Sequence, residues 1–236
     1  MTEWIRAEVH FASLYSYRVP NTSPSFALAS PVPSPSAVRL ALVDAAIQHS
    51  GSVAAGDAVF ELVKEAPLLL VPPERVCVVR ALVRRLKPPK EKDKPLERPP
   101  GIREYCHPKG PLEIYIQLED ETERVAELFR RLRRLGTTDS LAHCSAEMVD
   151  APAEDLACRP LDGVPGHLDN FDRRMIVSLL ELPLGATFDD VNPYSATPRG
   201  FKYRQQFWVL PLVRTQRGQN WTLYERAPFV SARGSP

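Results

Sequence analysis

The sequence predicts an α+β fold, because segments with the period of strands alternate along the chain with segments that have the period of amphipathic helices. Residues 112–118 alternate apolar and polar side chains, as a half-buried strand does. Residues 121–135 repeat apolar side chains every three or four positions, as a helix with one buried face does. A long, polar and proline-rich segment, residues 87–101, lies between two predicted strands. Together these observations predict a compact body with an extended hairpin.

The first elements are a strand and a doubled helix. Residues 3–11 have the alternation of a strand. Ser34 suits the N-cap of a helix, Pro35 suits its first position, and Gly51 follows its end. A second, shorter helical stretch is predicted over residues 57–66.

The hairpin is predicted from the next two strands. We expect residues 75–86 to pair with residues 112–118, so that the charged segment between them forms a loop that extends away from the body. The helix at residues 121–135 and a last strand over 140–149 follow.

This order of strand, helix, strand, strand, helix and strand is that of the ferredoxin-like, or RRM-like, βαββαβ unit. We therefore expect a ferredoxin-like domain over residues 1–150, with the hairpin at about 75–118. Residues 151–236 begin with a stretch rich in Pro, Asp and Gly and then carry short apolar runs, which predicts a small β-rich addition. Trp208 and Trp221 are predicted to lie in the core.

Positive charge is concentrated in two regions of a nearly neutral chain. The formal net charge is +1, but residues 75–109 hold 11 Lys and Arg against 4 Asp and Glu. Residues 199–236 hold 7 basic residues, and Glu225 is their one acidic residue. Charge separated in this way produces a local positive field, which predicts a polyanionic ligand. The alternative is that these charges only solvate loops.

Several classes of protein have no support in the sequence. Arg6, Glu8 and His10 interrupt the start of the chain, so no secretory signal is expected, and no apolar run is long enough to span a membrane. The four cysteines have no zinc-site spacing, so we expect free thiols in a reducing cytoplasm and neither a metal nor a cofactor. The chain contains no Walker loop, GxGxxG, HExxH or GxSxG motif, and it lacks the aromatic-rich RNP1 pattern of a sequence-reading RRM.

Three segments follow one another along the chain: residues 26–47 (FALASPVPSPSAVRLALVDAAI), 103–118 (REYCHPKGPLEIYIQL) and 132–142 (LRRLGTTDSLA). In this order they resemble the Cas-five family, the RAMP-superfamily subunit of type I CRISPR effector (Cascade) complexes. The chain has Arg39–Leu40 where many members carry a Gly-Leu pair, and its C-terminal region is divergent.

The resemblance implies a non-catalytic RNA-binding subunit of a CRISPR-Cas surveillance complex in the prokaryotic cytoplasm, with a role in antiviral defence. Such a subunit grips the 5′ handle of the crRNA, and its hairpin is called the thumb. It caps the backbone of Cas-seven-like subunits and contacts the large subunit. Target DNA passes nearby without being read in sequence.

The candidate RNA-binding residues combine cations that neutralise phosphates with a tyrosine that can stack on a base. If the strand after the charged loop begins early, Arg103, Tyr105, His107 and Lys109 project from one face, whereas Pro108 and Gly110 would otherwise break it. The full predicted set is Arg39, Arg84, Arg85, Lys87, Lys90, Lys92, Lys94, Arg103, Tyr105, His107, Lys109, Thr137, Ser140, Arg199, Lys202 and Arg204.

Two alternatives to this function remain open. Some members of the family cut precursor crRNA without a metal, and Tyr105, His107 and Lys109 supply the residue types for acid–base catalysis and for stabilising a crowded phosphate. The chain can also be a protein-docking module, whose basic hairpin binds an acidic protein surface rather than RNA.

Overall fold

The computed structural model describes residues 3–23, 25–84, 86, 95–96, 100–136, 140–163, 171–194 and 202–229. In this part of the chain most elements are strands and four are α-helices, so the predicted α+β class is confirmed. None of the described helices is both long and apolar enough to cross a membrane. The helices are α1 (Pro35–Ser50), α2 (Val53–Val63), α3 (Thr122–Arg131) and α4 (Phe188–Val191). The strands are β1 (Glu3–Phe11), β2 (Tyr17–Arg18), β3 (Phe26–Ala27), β4 (Ala29–Ser30), β5 (Leu68–Val71), β6 (Arg75–Arg84), β7 (Pro100–Lys109), β8 (Leu112–Leu118), β9 (Ala142–Val149), β10 (Arg159–Pro160), β11 (Arg174–Glu181), β12 (Arg204–Arg217) and β13 (Trp221–Arg226).

The body is built on a four-stranded sheet with the order β5-β8-β1-β9, in which all neighbours are antiparallel. Alternate residues of β1, among them Ile5 and Val9, are buried in a core that also contains Leu42 of α1 and Phe129 of α3. Burying a side chain of this size stabilises the fold by about 1.5–3 kcal/mol. The helices therefore cover one face of this sheet.

The hairpin has a different second strand from the one predicted. β6 pairs with β7, from Arg75 opposite Lys109 to Arg84 opposite Pro100, and not with β8. The prediction that residues 112–118 form the return strand was wrong, because all but one residue of β8 are buried and the strand lies inside the body sheet. Gly110, with a φ of 86°, makes the turn that sends the chain from β7 into β8.

The sequence also failed to reveal β5, which stands beside β8 at the edge of the body sheet. This strand has only four residues, and it is followed by Pro72 and Pro73. A short apolar run cannot be assigned to strand or helix by its period. β5 therefore takes the place in the body sheet that the sequence analysis gave to residues 75–86.

The hairpin strands belong to a second sheet with the order β10-β12-β13-β6-β7-β3, and β11 pairs with β12. β13 flanks β6 and β3 flanks β7, so the described part of the hairpin does not project alone. The C-terminal strands and the hairpin thus share one sheet. A division of the chain near residue 150 does not separate the two sheets.

A buried ion pair fixes the second sheet to the body. Arg39 of α1 is 5% exposed, and its Nε lies 3.2 Å from Oε1 of Glu181 at the end of β11. Its guanidinium also donates to the carbonyl oxygens of Val63 and, at 2.9 Å, of Ala66. Ser34 occupies the N-cap position of α1, as predicted, but its hydroxyl makes no capping hydrogen bond. The hydroxyl instead accepts the backbone N–H of Leu180 in β11 at 3.0 Å, which adds to the same contact between α1 and the second sheet.

We expect Arg39→Met to lower the free energy of unfolding by about 3–5 kcal/mol, because it removes a buried guanidinium and leaves the Glu181 carboxylate, whose side chain is only 16% exposed, without its cation. Urea titration followed by circular dichroism measures this loss. The matched control is Arg124→Met, whose exposed partner Glu121 lies at 3.3 Å and whose loss should cost less than about 1 kcal/mol. Equal losses in the two variants would contradict the structural role given to Arg39.

Candidate nucleic-acid interface

Four polar side chains alternate along β7 and project from one face of the second sheet. The strand includes every residue from Pro100 to Lys109, so Pro108 does not break it. Arg103, Tyr105, His107 and Lys109 are therefore on one face, and Glu104 and Cys106 between them are buried on the other. The one-face arrangement that the sequence allowed is the one that the structure has.

Neighbouring strands extend this surface. Four residues of β6 lie directly opposite Arg103, Tyr105, His107 and Lys109 of β7. In that order they are Ala81, Val79, Cys77 and Arg75. On the other side of β6, Trp221, Leu223 and Glu225 of β13 lie opposite Val79, Cys77 and Arg75. We name this surface the outer sheet face. It consists of Arg75, Cys77, Val79, Ala81, Arg103, Tyr105, His107, Lys109, Trp221, Leu223 and Glu225.

The outer sheet face carries an excess of positive charge. Nε of Arg75 lies 3.2 Å from Oε1 of Glu225, and both side chains are about half exposed. Within the part of the chain that the structure describes, Arg103, His107 and Lys109 form no ion pair. Two permanent cations, Arg103 and Lys109, are thus available to an anionic ligand.

Glu104 fixes the orientation of β7 from the buried side. Its Oε2 accepts the backbone N–H of Ala29 at 3.1 Å, and its Oε1 accepts Nε–H of Arg80 at 3.0 Å. Its backbone oxygen accepts the hydroxyl of Ser16 at 2.8 Å. Glu104 is 7% exposed, and these hydrogen bonds offset the cost of burying its carboxylate. Because residues alternate along a strand, holding Glu104 inward turns its neighbours outward.

An apolar row crosses the opposite face of the hairpin near its distal end, and the sequence analysis did not identify it. Phe26 and Ile102 are partners between β3 and β7, and Ile102 and Leu82 are partners between β7 and β6. They are 36%, 39% and 69% exposed. The guanidinium of Arg80 lies 5.6 Å from the centroid of the Phe26 ring. Three neighbouring apolar side chains in water suit a protein contact.

Two of the predicted RNA-binding residues, Arg39 and Ser140, have side chains that are buried inside the protein and not on its surface. Arg39 forms the buried ion pair described above. Ser140 is 0% exposed, and its backbone oxygen accepts the N–H of Leu135. The prediction treated each as the polar end of a helix or turn, and sequence alone does not show that other elements pack over these ends.

The remaining predicted residues fall into three groups. Arg84 is exposed at the distal end of β6, beside the apolar row. Lys202 and Arg204 are exposed at the start of β12, where Arg204 lies opposite Glu181, and the structure does not bring them to the outer sheet face. The residues that lie outside the described part of the chain are Arg85, Lys87, Lys90, Lys92, Lys94, Thr137 and Arg199.

The two tryptophans predicted for the core differ in how far they are exposed to solvent. Trp208 is 9% exposed and packs in the main core, as predicted. Trp221 is 40% exposed, so the prediction for it was wrong. It lies on the outer sheet face, which the helices of the body do not cover. The sequence does contain one indication, which is Gly218 shortly before Trp221. The absence of a side chain at Gly218 leaves space for the indole of Trp221.

The cysteines are free thiols, of which three are buried and Cys77 is half-buried on the outer sheet face. Burial raises the pKa of Cys77, and deeper burial together with the charge of Glu8 raises the pKa of Cys144 to about 12. No cluster of three or more metal-binding side chains occurs among the described residues.

The chain is similar over nearly its whole length to a CRISPR protein of known name. No protein-family model matches it. It is 29% identical over 226 residues, which cover 94% of this chain and 98% of the relative, to "CRISPR-associated protein Cas5" of Archaeoglobus fulgidus (strain ATCC 49558 / DSM 4304 / JCM 9628 / NBRC 100126 / VC-16). The resemblance to the Cas-five family is thereby confirmed.

Two solved structures of CRISPR proteins are also similar to it. "Crystal structure of a CRISPR protein from Archaeoglobus fulgidus" is 14% identical with a TM-score of 0.48, and the match covers 96% of this chain and 92% of that one. A chain of a "CRISPR RNA-guided surveillance complex" is 14% identical with a TM-score of 0.37, and the match covers 97% and 91%.

We expect iodoacetamide at about pH 8 to modify Cys77 before the buried Cys106, Cys144 and Cys158. Burial shields the three sulfur atoms from the reagent, and it raises their pKa more than it raises the pKa of Cys77, which lowers the fraction of reactive thiolate. Peptide mapping by mass spectrometry gives the order. All four should react at similar rates in urea that unfolds the protein. Early modification of Cys106 in the folded protein would contradict the buried inner side of β7.

Proposed function

We propose that this chain is a Cas-five-type, non-catalytic RNA-binding subunit of a CRISPR-Cas surveillance complex in the prokaryotic cytoplasm. It grips the 5′ handle of the crRNA with the outer sheet face and caps a backbone of Cas-seven-like subunits. It contacts the large subunit, and target DNA lies nearby without being read. The observation that carries this proposal is the row of Arg103, Tyr105, His107 and Lys109 on one exposed face of β7.

We also propose that the body is a ferredoxin-like unit of the RAMP type. Its support is the order of elements β1, α1 with α2, β5, β8, α3 and β9, whose strands assemble as second-third-first-fourth with antiparallel neighbours. The hairpin is then an insertion between the second and third strands of that unit. This insertion corresponds to the thumb that the sequence resemblance implied.

RNA is a suitable ligand for the outer sheet face on physical grounds. Arg and Lys side chains neutralise phosphates and release condensed counterions, which makes binding dependent on salt. Arg103 and Lys109 stand six residues apart on β7, so they span about 20 Å of the surface. Single-stranded RNA is flexible enough to lie between them and to expose its bases to Tyr105.

We expect filter binding of a guide RNA with its 5′ handle to weaken as salt rises, with a steep slope of log affinity against log salt concentration. Arg103→Ala should weaken binding and reduce that slope by about one, since one phosphate contact is lost. Arg124→Ala on α3, whose partner is Glu121, is the matched control and should leave the slope unchanged. No affinity even at low salt would favour protein docking over RNA binding.

A metal-independent endoribonuclease remains the second candidate, and its support is that Tyr105, His107 and Lys109 share one face of β7. Same-face neighbours on a strand are about 7 Å apart, so Tyr105 and Lys109 stand on either side of His107 with about 14 Å between them. None of the three is hydrogen-bonded to another within the described part of the chain. Acid–base catalysis needs a group within hydrogen-bond reach of the proton that it moves, and bound RNA would have to supply that contact.

We expect no specific cleavage when the purified protein is incubated with precursor crRNA in EDTA. Within the described part of the chain, the imidazole of His107 has no hydrogen bond to an orienting partner, so this face offers contacts to phosphate without a positioned acid or base. Denaturing gels of the RNA measure the outcome. Site-specific cleavage that is lost in His107→Ala and kept in Arg124→Ala would establish the endoribonuclease instead.

The apolar row supports the docking part of the proposal. Phe26, Ile102 and Leu82 lie on the face of the hairpin opposite to Arg103, so a protein partner and RNA can bind the hairpin from different sides. A protein-docking module without RNA binding would use the basic hairpin against an acidic protein surface, and this row would add an apolar contact. The salt titration above separates that alternative.

A further inference from the structure

We propose that Trp221 and Tyr105 stack on unpaired bases of the bound RNA and that Val79 forms the flat surface between them. This inference rests on the proposed function and extends it to the C-terminal strand β13, which the sequence resemblance did not connect with RNA. The ligand class is single-stranded RNA, recognised through the faces of its bases.

The register of three strands places these side chains in line. Val79 of β6 lies opposite Tyr105 of β7 on one side and opposite Trp221 of β13 on the other. Residues directly opposite in antiparallel strands project from the same face. Since neighbouring strands are about 4.8 Å apart, the two aromatic residues are about 10 Å apart across the sheet.

The indole of Trp221 is held in place while much of it stays in water. A Cβ on Gly218 would come within 2.3 Å of Nε1 of Trp221, so only glycine lets the ring lie against this turn. The backbone N–H of Gly218 also donates to the oxygen of Trp221 at 2.9 Å, which closes the turn. Trp221 nevertheless remains 40% exposed. A positioned, exposed aromatic ring needs little reorganisation before it stacks on a ligand.

The charges around this row favour RNA over a protein partner. Arg103 stands next to Tyr105 on the same face, two positions along β7, and it has no ion pair with a described residue. Arg75 on β6 keeps its exposed pair with Glu225. Aromatic faces flanked by unpaired cations are what a sugar–phosphate chain with splayed bases requires, because the bases stack while the phosphates are neutralised.

The test compares a guide RNA carrying its 5′ handle with an RNA of the same length whose handle is abasic. Trp221→Ala should weaken binding of the intact RNA by roughly 5-fold to 150-fold, the equivalent of one lost base stack. The same substitution should change the affinity for the abasic RNA by less than about two-fold, because the abasic handle contacts the protein only through its phosphates. Phe207→Ala, which removes an aromatic ring that is 56% exposed on β12, is the matched control and should change neither.

The wild-type protein supplies a second measurement that needs no variant. It should bind the intact RNA at least about 5-fold more tightly than the abasic RNA. Equal wild-type affinities, or an equal loss for both RNAs in Trp221→Ala, would overturn the stacking role. If Arg103→Ala still weakened binding of both RNAs, the proposed function would stand without it. Absence of binding to either RNA would overturn both proposals.

Discussion

The outer sheet face depends on the buried carboxylate of Glu104. It accepts hydrogen bonds from the backbone of Ala29 and from Arg80, so it fastens the hairpin both to the segment before α1 and to its own partner strand. A charged group can stay inside a protein only where such donors meet it. Because Glu104 points inward and successive side chains of a strand point to opposite faces, Arg103 and Tyr105 point outward. The direction in which the proposed RNA-binding surface faces is thus determined from its buried side.

A second buried charge joins the sheet of the hairpin to the helices. Arg39 of α1 reaches Glu181 of β11 and two backbone oxygens near the end of α2. β11 in turn pairs with β12, and β13 links β12 to β6. The part of β6 from Arg75 to Val79 is therefore held by a strand from the C-terminal part of the chain, and β3 holds β7 at Ile102 and Arg103. This construction makes the surface rigid, and a rigid surface loses little conformational entropy when it binds a flexible RNA.

The two faces of the hairpin differ in chemistry. Arg103 and Lys109 mark the outer face, whereas Phe26, Ile102 and Leu82 cross the other face near the distal end. A subunit that holds RNA while it contacts a neighbouring protein needs both kinds of surface. A pleated strand provides them at once, because consecutive side chains point to opposite sides.

The sequence by itself determined the α+β class, the start of α1 at Pro35, the resemblance to the Cas-five family and the alternation of the β7 cations, since each is written in local order and period. Only the tertiary structure decided that β8 belongs to the body, that Arg39 and Ser140 are buried, and that Trp221 is exposed. Strand pairing and burial depend on which distant elements cover a residue. Local period shows that a strand has two faces, but it does not show which face the rest of the chain will cover.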